Sequence, residues 1–318
     1  MNTENSDHSK FKMDWQDELK AIASKVKYDE PLSKHTSFSI GGPALAFVEV
    51  NSIGELKSIV SFRERFKLPV MVIGRGTNIL VSDAGYNGVI VVLSKGLSQI
   101  KFDGTQVTAG AGITLNRLTK QLLQNSLSGM EFAYGIPGTL GGALIMNVGA
   151  YGQEIGEVVT QILLMTHKGE VITISNEQAG FDYRKSDLKQ YFCILEATLQ
   201  LKRDSKEKIE AEMKKLYKER QSKQPLSLPS AGCVFKNPLP SASGQAGASA
   251  GKLIDECGLK GSKVGGAEVS QRHANFIVNS SSATAKDVLD LIDLVRERVK
   301  SQTGIELELE IQLIPREH

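Results

Sequence analysis

The 318-residue chain is poor in cysteine. It has three, at positions 193, 233 and 257, an odd set with no C-x-x-C spacing, and five scattered histidines. That excludes a disulfide framework, gives no zinc-type cluster, so no metal is expected, and points to a reducing compartment. No run approaches the ~20 apolar residues of a membrane span. The opening MNTENSDHSKFKMDWQDELK also lacks the apolar centre of a secretory signal, so a cytoplasmic protein is expected. Net charge is nearly absent: 38 Lys and Arg against 36 Asp and Glu give +2. This is too little for the broad positive field of a duplex-binding surface, so nucleic acid is not expected as a partner. The absence of a repeat of fixed period removes solenoids and propellers.

An apolar fraction of 41% with 23% charged residues is that of a globular chain, and the length suits roughly two domains. Residues 1–12 are polar and expected to fray. HTSFSIGGPALAFVEV reads as a loop entering a strand. SIGELKSIVSFRERF spaces Leu56, Ile59, Val60 and Arg63 as a helix, and LPVMVIG follows as a buried strand. GVIVVL, QVTAGAG, EVITIS and CILEATLQL are further β-type runs, and TLNRLTKQLLQ carries a helical stripe at Leu115, Leu118, Leu122 and Leu123. The charge-dense KRDSKEKIEAEMKKLYKERQSKQP predicts a solvated helix closed by Pro225 and marks a domain boundary. LPSASGQAGASA, residues 239–250, reads as a mobile loop. The last helix has Thr284 and Asp287 at capping-box spacing and Val288, Leu291, Ile292, Val295 and Val299 on one face before Gly304. IELELEIQLI then alternates as a terminal strand. The fold class is α+β, without strict βαβ alternation.

Glycine concentrates in two stretches, GRGTNILVSDAGYNG and GIPGTLGGALIMNVGAYG. Glycine lets backbone N–H groups converge on an anion, for which a diphosphate is a natural guest. Neither stretch matches a nucleotide fingerprint: the first reads GxGxxI without the third glycine, and neither has the GK[ST] ending of a phosphate-binding loop. Tight connections between strands remain the competing reading.

AGCVFKNP, residues 231–238, raises the question of what Cys233 does. By itself it reads as a small buried apolar residue, since cysteine is among the most buried residue types. The flanking residues change that. HTSFSIGG, GRGTNILVSD, GAGITLNRL, EFAYGIPGTLGGALIMNVGAYG, FDYRKS, KQP, AGCVFKNP, AGKLIDECGLKG and GIELELEI occur in one order along nearly the whole chain. In that order the chain resembles the UDP-N-acetylenolpyruvoylglucosamine reductase family. FDYRKSDLKQYFCILEATL runs straight on without an inserted tyrosine-bearing loop, so the loopless, type II-like subgroup is the better match.

The resemblance implies a two-lobed FAD-binding domain of the vanillyl-alcohol-oxidase (PCMH) type over residues 21–203, with lobes at about 21–70 and 71–203. It also implies a C-terminal α+β substrate-binding domain over 204–318, and residues 1–20 become a tail and the start of the first helix. It implies non-covalent FAD, NADPH as hydride donor and UDP-N-acetylglucosamine enolpyruvate as substrate, and no obligatory protein partner is evident in the sequence. Carried over by position, Gly74, Arg75, Gly76, Thr77, Asn78, Ser82, Gly138, Thr139, Gly142, Ala143, Asn147 and Gly149 are cofactor-binding. Tyr183, Lys223, Asn237 and His273 are substrate-binding, and Arg184, Cys233 and Glu310 catalytic. Where most members have a serine proton donor this chain has Cys233, and a thiol with a reference pKa of ~8.5 is a far stronger acid than an alkyl alcohol. Arg184 alone reads as a structural arginine. Glu306, Glu308 and Glu310 alone read as a solvated strand face. Cys193 and Cys257 are assigned to packing. The rival readings are a flavin oxidase of the same fold and a non-catalytic nucleotide-sugar binding module.

Overall fold

The structure, a computed structural model, describes residues 7–23, 25–238 and 248–314. The chain sorts into two compact units, each assembled from separate stretches. Residues up to 30, 44–74 and 87–213 form the first, and residues 31–43, 75–86 and 214 onward form the second. The break at 213/214 lies shortly after the boundary expected at 203/204, inside the charge-dense helix. Two N-terminal stretches expected in the flavin domain group instead with the C-terminal unit.

In the first unit, helix α1 (Asp7–Ile22) begins inside the segment expected to fray, and its Trp15 and Leu19 are buried. Helix α2 (Ile53–Phe66) buries Leu56, Ile59 and Val60, as its spacing predicts. Ser52 caps it by accepting the Glu55 N–H at 3.1 Å. Both helices share an apolar core with a four-stranded sheet in the order Lys25–Pro31, Pro43–Val50, Tyr86–Leu93, Val70–Ile73. The strand read from LPVMVIG is half-buried along its length because it is an edge of this sheet. Tyr86–Leu93 and Val70–Ile73 join the strands Lys25–Pro31 and Pro43–Val50 in this one sheet, so the sheet does not follow a division at residue 70.

A second, antiparallel sheet has the order Val171–Ser175, Val159–Met165, Cys193–Gln200, Gln106–Gly110, Ile100–Asp103. Helix α3 (Leu115–Gln124) buries Leu115, Leu118 and Leu122, while Leu123 is half-buried. The short helix α4 (Leu140–Ile145) follows in the second glycine stretch. Cys193 opens its strand fully buried, and desolvation pushes its thiol up to about 12. That thiol is packing, not chemistry.

Helix α5 (Lys206–Lys223) ends before Pro225, and Ile209, Met213 and Leu216 form a buried stripe that its charge density conceals. In the second unit, α6 (Ala250–Glu256), a three-stranded sheet and α7 (Ala285–Thr303) enclose a core. Cys257 packs at its edge, its thiol raised by desolvation and by the charge of Glu256. The α7 capping box is present: the Thr284 hydroxyl accepts the Asp287 N–H and the Asp287 carboxylate accepts the Thr284 N–H, both at 3.0 Å. Val288, Leu291, Ile292, Val295 and Val299 are buried, and Gly304 closes the helix at φ 73°. The expected ten-residue terminal strand is shorter. Only Gln312–Ile314 is regular, and it pairs in parallel with Ile79–Val81. This pairing draws residues 75–86 into the second unit. Residues 239–247 of the segment expected to be mobile lie outside the described residues. Among the described residues no helix is long and apolar enough to cross a membrane.

Asp83, within the first glycine stretch, caps the start of α7. Its carboxylate accepts the N–H groups of Ala285 at 2.8 Å and Lys286 at 3.1 Å, two of the donors that a helix start leaves without intrahelical partners. Asp83→Ala is expected to cost about 1–2 kcal/mol, measured as a lower urea midpoint at unchanged slope.

Candidate functional site

In the first unit the second glycine stretch builds a surface with little side chain on it. Gly138 sits at φ 146°. Leu140 and Gly141 donate to the carbonyls of Ile113 and Ala111, and the Thr139 hydroxyl accepts the Gly142 N–H at 3.4 Å. The N–H groups of Gly138 and Thr139 take part in none of these bonds. Gly74 reaches the same place: a Cβ there falls 2.6 Å from Thr139 Oγ1. Gly142 is exposed and Ala143 buried. A backbone cradle that a single methyl group obstructs, with adjacent amide donors, fits the diphosphate of a dinucleotide.

Further along that unit, the FDYR segment forms a tight turn in which the Asp182 and Lys185 backbones exchange two hydrogen bonds of 3.1 Å. Arg184 is half-buried, left-handed at φ 54°, and its guanidinium lies 5.3 Å from the Tyr183 ring centroid. Gly149 admits it, since a Cβ there would stand 3.3 Å from Arg184 Nη1 and 2.7 Å from the Gln153 carbonyl. Asn147 is buried, and its side-chain amide is engaged by Glu154, Asp182 and Gly156.

In the second unit, the first glycine stretch divides. Gly76, at φ 61°, is fixed by HTSF: its carbonyl accepts the Ser37 N–H at 3.0 Å, and a Cβ would fall 2.1 Å from the His35 carbonyl. Arg75 is exposed and Thr77 half-buried. Asn78 Nδ2 donates to the Glu310 carbonyl at 3.1 Å, and the Asn78 carbonyl accepts the Gln312 N–H at 2.9 Å. The Ser82 hydroxyl accepts the Ala84 N–H at 3.2 Å in the turn beyond.

Cys233 is half-buried beside Gly232, whose φ is 80° and next to whose Cα there is open space. Its segment is held on both sides. Cys233 bridges Phe276, the Val234 N–H donates to the Asn275 carbonyl at 2.9 Å, and the Glu310 N–H donates to the Val234 carbonyl at 2.8 Å. The three terminal acids separate on this frame. Glu306 pairs with Lys300 and Glu308 with Lys236, both acids exposed, whereas Glu310 is half-buried. Asn237 accepts the Ala250 N–H at 3.0 Å at the start of α6. His273 Nδ1 accepts the Asn275 N–H at 3.2 Å, which leaves the proton on Nε2. Burial first, then Lys260, holds its pKa below the ordinary histidine value. Lys223, exposed on the last turn of α5, pairs with Glu219 at 2.6 Å. Among the described residues no three His, Cys, Asp or Glu side chains gather where a metal would be held.

Comparison with known proteins finds two family models along the chain. A family model described as FAD binding domain matches residues 44–175. Together with the glycine cradle it defines the class, a flavin-dependent oxidoreductase with a PCMH-type FAD-binding domain. A second model, the C-terminal domain of UDP-N-acetylenolpyruvoylglucosamine reductase, matches residues 224–314. The reductase of that name from Bacillus velezensis is 42% identical over 292 residues, 91% of this chain and 94% of its own. That of Alkaliphilus oremlandii is 43% identical over 310 residues, 95% and 100%. The crystal structure of UDP-N-acetylenolpyruvylglucosamine reductase from Thermus caldophilus superposes with a TM-score of 0.77 at 35% identity, covering 92% of this chain and 99% of that one. The chain belongs to the UDP-N-acetylenolpyruvoylglucosamine reductase family.

Three residues escape the sequence reading. Tyr151 stands exposed at φ 57° in the two-residue turn between Gly149–Ala150 and Gln153–Glu154, and the only signal for it is an aromatic residue between glycines. Glu154 and Asn275 carry no motif signal at all. Asn275 is the more consequential for stability: its Oδ1 accepts the Phe235 N–H at 2.9 Å and its Nδ2 donates to the Phe235 carbonyl at 2.8 Å, all buried. Asn275→Ala orphans both groups and is expected to cost about 2–4 kcal/mol in denaturant unfolding.

Proposed function

We propose that the protein catalyses the NADPH-driven reduction of UDP-N-acetylglucosamine enolpyruvate to UDP-N-acetylmuramate, in the cytoplasmic synthesis of peptidoglycan precursors. Bound FAD supplies a hydride, received from NADPH, for the methylene carbon of the enolpyruvyl ether. Hydride addition leaves negative charge on the neighbouring carbon and its carboxylate. Arg184 is the fixed cation for that charge, the kind of donor that contributes about 3–4 kcal/mol where charge develops. Glu310 adds a second polar group toward it. Cys233 gives the proton: its S–H bond breaks, a C–H bond forms at the neighbouring carbon, and solvent reprotonates the thiolate. Lys223 suits the diphosphate of the UDP moiety, Asn237, His273 and Tyr183 its polar groups.

The observation that supports this reading most is the register of the second unit. The Glu310 N–H bonds the carbonyl of Val234, adjacent to Cys233, so the thiol and the acid belong to neighbouring, mutually hydrogen-bonded segments. An oxidase that tethers its flavin would keep the yellow colour on the denatured chain. A binding module would bind UDP-sugar without flavin reduction. We expect FAD to leave on denaturation.

For Cys233→Ser we expect turnover to remain substantial. For Cys233→Ala, flavin reduction by NADPH persists while reoxidation by the enolpyruvyl substrate falls by about 10²-fold or more, measured by stopped-flow absorbance. Equal loss of both half-reactions refutes the proton-donor role. Peroxide is expected to inactivate the wild type and to spare Cys233→Ser, because a thiolate beside reduced flavin can climb the oxidation ladder.

A further inference from the structure

The proposed reaction requires Arg184 to be held in place, and the residues that hold it lie in the first unit. Arg184 sits in a left-handed conformation in the turn closed by Asp182 and Lys185, and a backbone so placed persists only where its surroundings determine it. One end of the turn is tied by Ser186, whose hydroxyl donates to the Ile145 carbonyl at 3.0 Å. The other is tied by Asn147, whose Nδ2 donates to the Asp182 carbonyl at 3.1 Å. Asn147 is itself left-handed, at φ 41°, and 2% exposed. Its Oδ1 accepts the Gly156 N–H at 3.0 Å, and its Nδ2 also donates to Glu154 Oε2 at 2.6 Å. This amide, assigned by family resemblance to the flavin, is engaged on three sides within the protein.

Glu154 completes the arrangement. It lies opposite Gly149 in the short antiparallel pair of Gly149–Ala150 with Gln153–Glu154. A Cβ on Gly149 would meet Glu154 Cγ at 2.7 Å and Arg184 Nη1 at 3.3 Å, so the glutamate stem and the guanidinium flank the same Cα. We propose that Glu154 is a positioning residue for Arg184: it orients the Asn147 amide that anchors the arginine turn and packs its side-chain stem on the face of Gly149 that the guanidinium uses. This rests on the role given to Arg184 above and goes beyond it, since no motif or resemblance assigns Glu154.

The test compares Glu154→Ala and Glu154→Gln holoenzymes with the wild type. Glutamine keeps an acceptor for Asn147, and alanine removes it. In Glu154→Ala we expect unchanged FAD content and flavin reduction by NADPH, with reoxidation by saturating UDP-N-acetylglucosamine enolpyruvate slowed about 10-fold or more and Glu154→Gln restored to within about 3-fold. Hydrogen exchange supplies a readout independent of turnover. The amides of Asp182 and Lys185 are expected to exchange about 10-fold faster in the alanine variant and at the wild-type rate in the glutamine variant. Should the alanine variant not fold, Glu154→Asp, which withdraws the carboxylate by one methylene, is expected to show the same pattern at smaller size. Wild-type exchange and reoxidation in the alanine or aspartate variant overturns the assignment, as does equal loss of both half-reactions in all variants. A wild-type enzyme that the enolpyruvyl substrate fails to reoxidise overturns the reaction instead, and the exchange rates then decide the positioning role by themselves.

Discussion

The second unit depends on one side chain spending both its polar atoms on one neighbour. Asn275 accepts from the Phe235 N–H and donates to the Phe235 carbonyl, in a place where both residues are buried. Residues 231–238 join their neighbours through isolated bridges at Cys233 and Phe235, and this pair adds side-chain bonds where a regular strand would use backbone ones. On its other side the segment is bonded to residues 308–310, and these in turn to Asn78 and the strand Ile79–Val81. A continuous hydrogen-bonded path therefore runs from the first glycine stretch through Glu310 to the residue beside Cys233. For the proposed proton transfer, this path holds the segment of Cys233 in place without reorganisation, the kind of preorganisation that makes such groups effective.

The first unit reaches a similar end through strain. Asn147, Tyr151 and Arg184 all adopt left-handed backbone conformations within the segments that meet around Gly149. Each costs of order 1–3 kcal/mol, and such costs persist only where the surrounding structure over-determines them. Asn147 and Ser186 supply part of that determination, and Gly149 and Gly74 supply the room. Sequence analysis reads these glycines as anion-binding. The structure gives some of them a second task, admitting a side chain where a Cβ cannot stand.

Periodicity and capping were legible because they are local. The stripes of α2, α3 and α7 and the Thr284/Asp287 box needed no tertiary information. Long-range pairing was not legible. Nothing in IELELEIQLI says that only Gln312–Ile314 pairs, or that its partner is Ile79–Val81 more than two hundred residues earlier. The apolar side of α5 was hidden by its charge, and the edge position of Val70–Ile73 by its composition. For the site, family resemblance carried Arg184, Cys233 and Glu310, because a lone residue of any of these types reads as structural. The exposure of Glu306 and Glu308 against the half-burial of Glu310 supplies a physical reason to separate them. Glu154 and Asn275 emerge only from hydrogen bonds.

A cysteine at position 233 makes the central claim open to direct chemistry. Of the three thiols, Cys193 is buried and inert, Cys257 packs at the end of α6, and Cys233 is half-buried. The most direct measurement is graded alkylation with iodoacetamide, with peptide mass analysis of each cysteine and stopped-flow assay of both half-reactions on the same samples. The account predicts that reoxidation by the enolpyruvyl substrate falls in proportion to Cys233 modified, while flavin reduction by NADPH is retained and Cys233→Ser is insensitive. Full reoxidation with Cys233 alkylated, or a loss that follows Cys257, would contradict it.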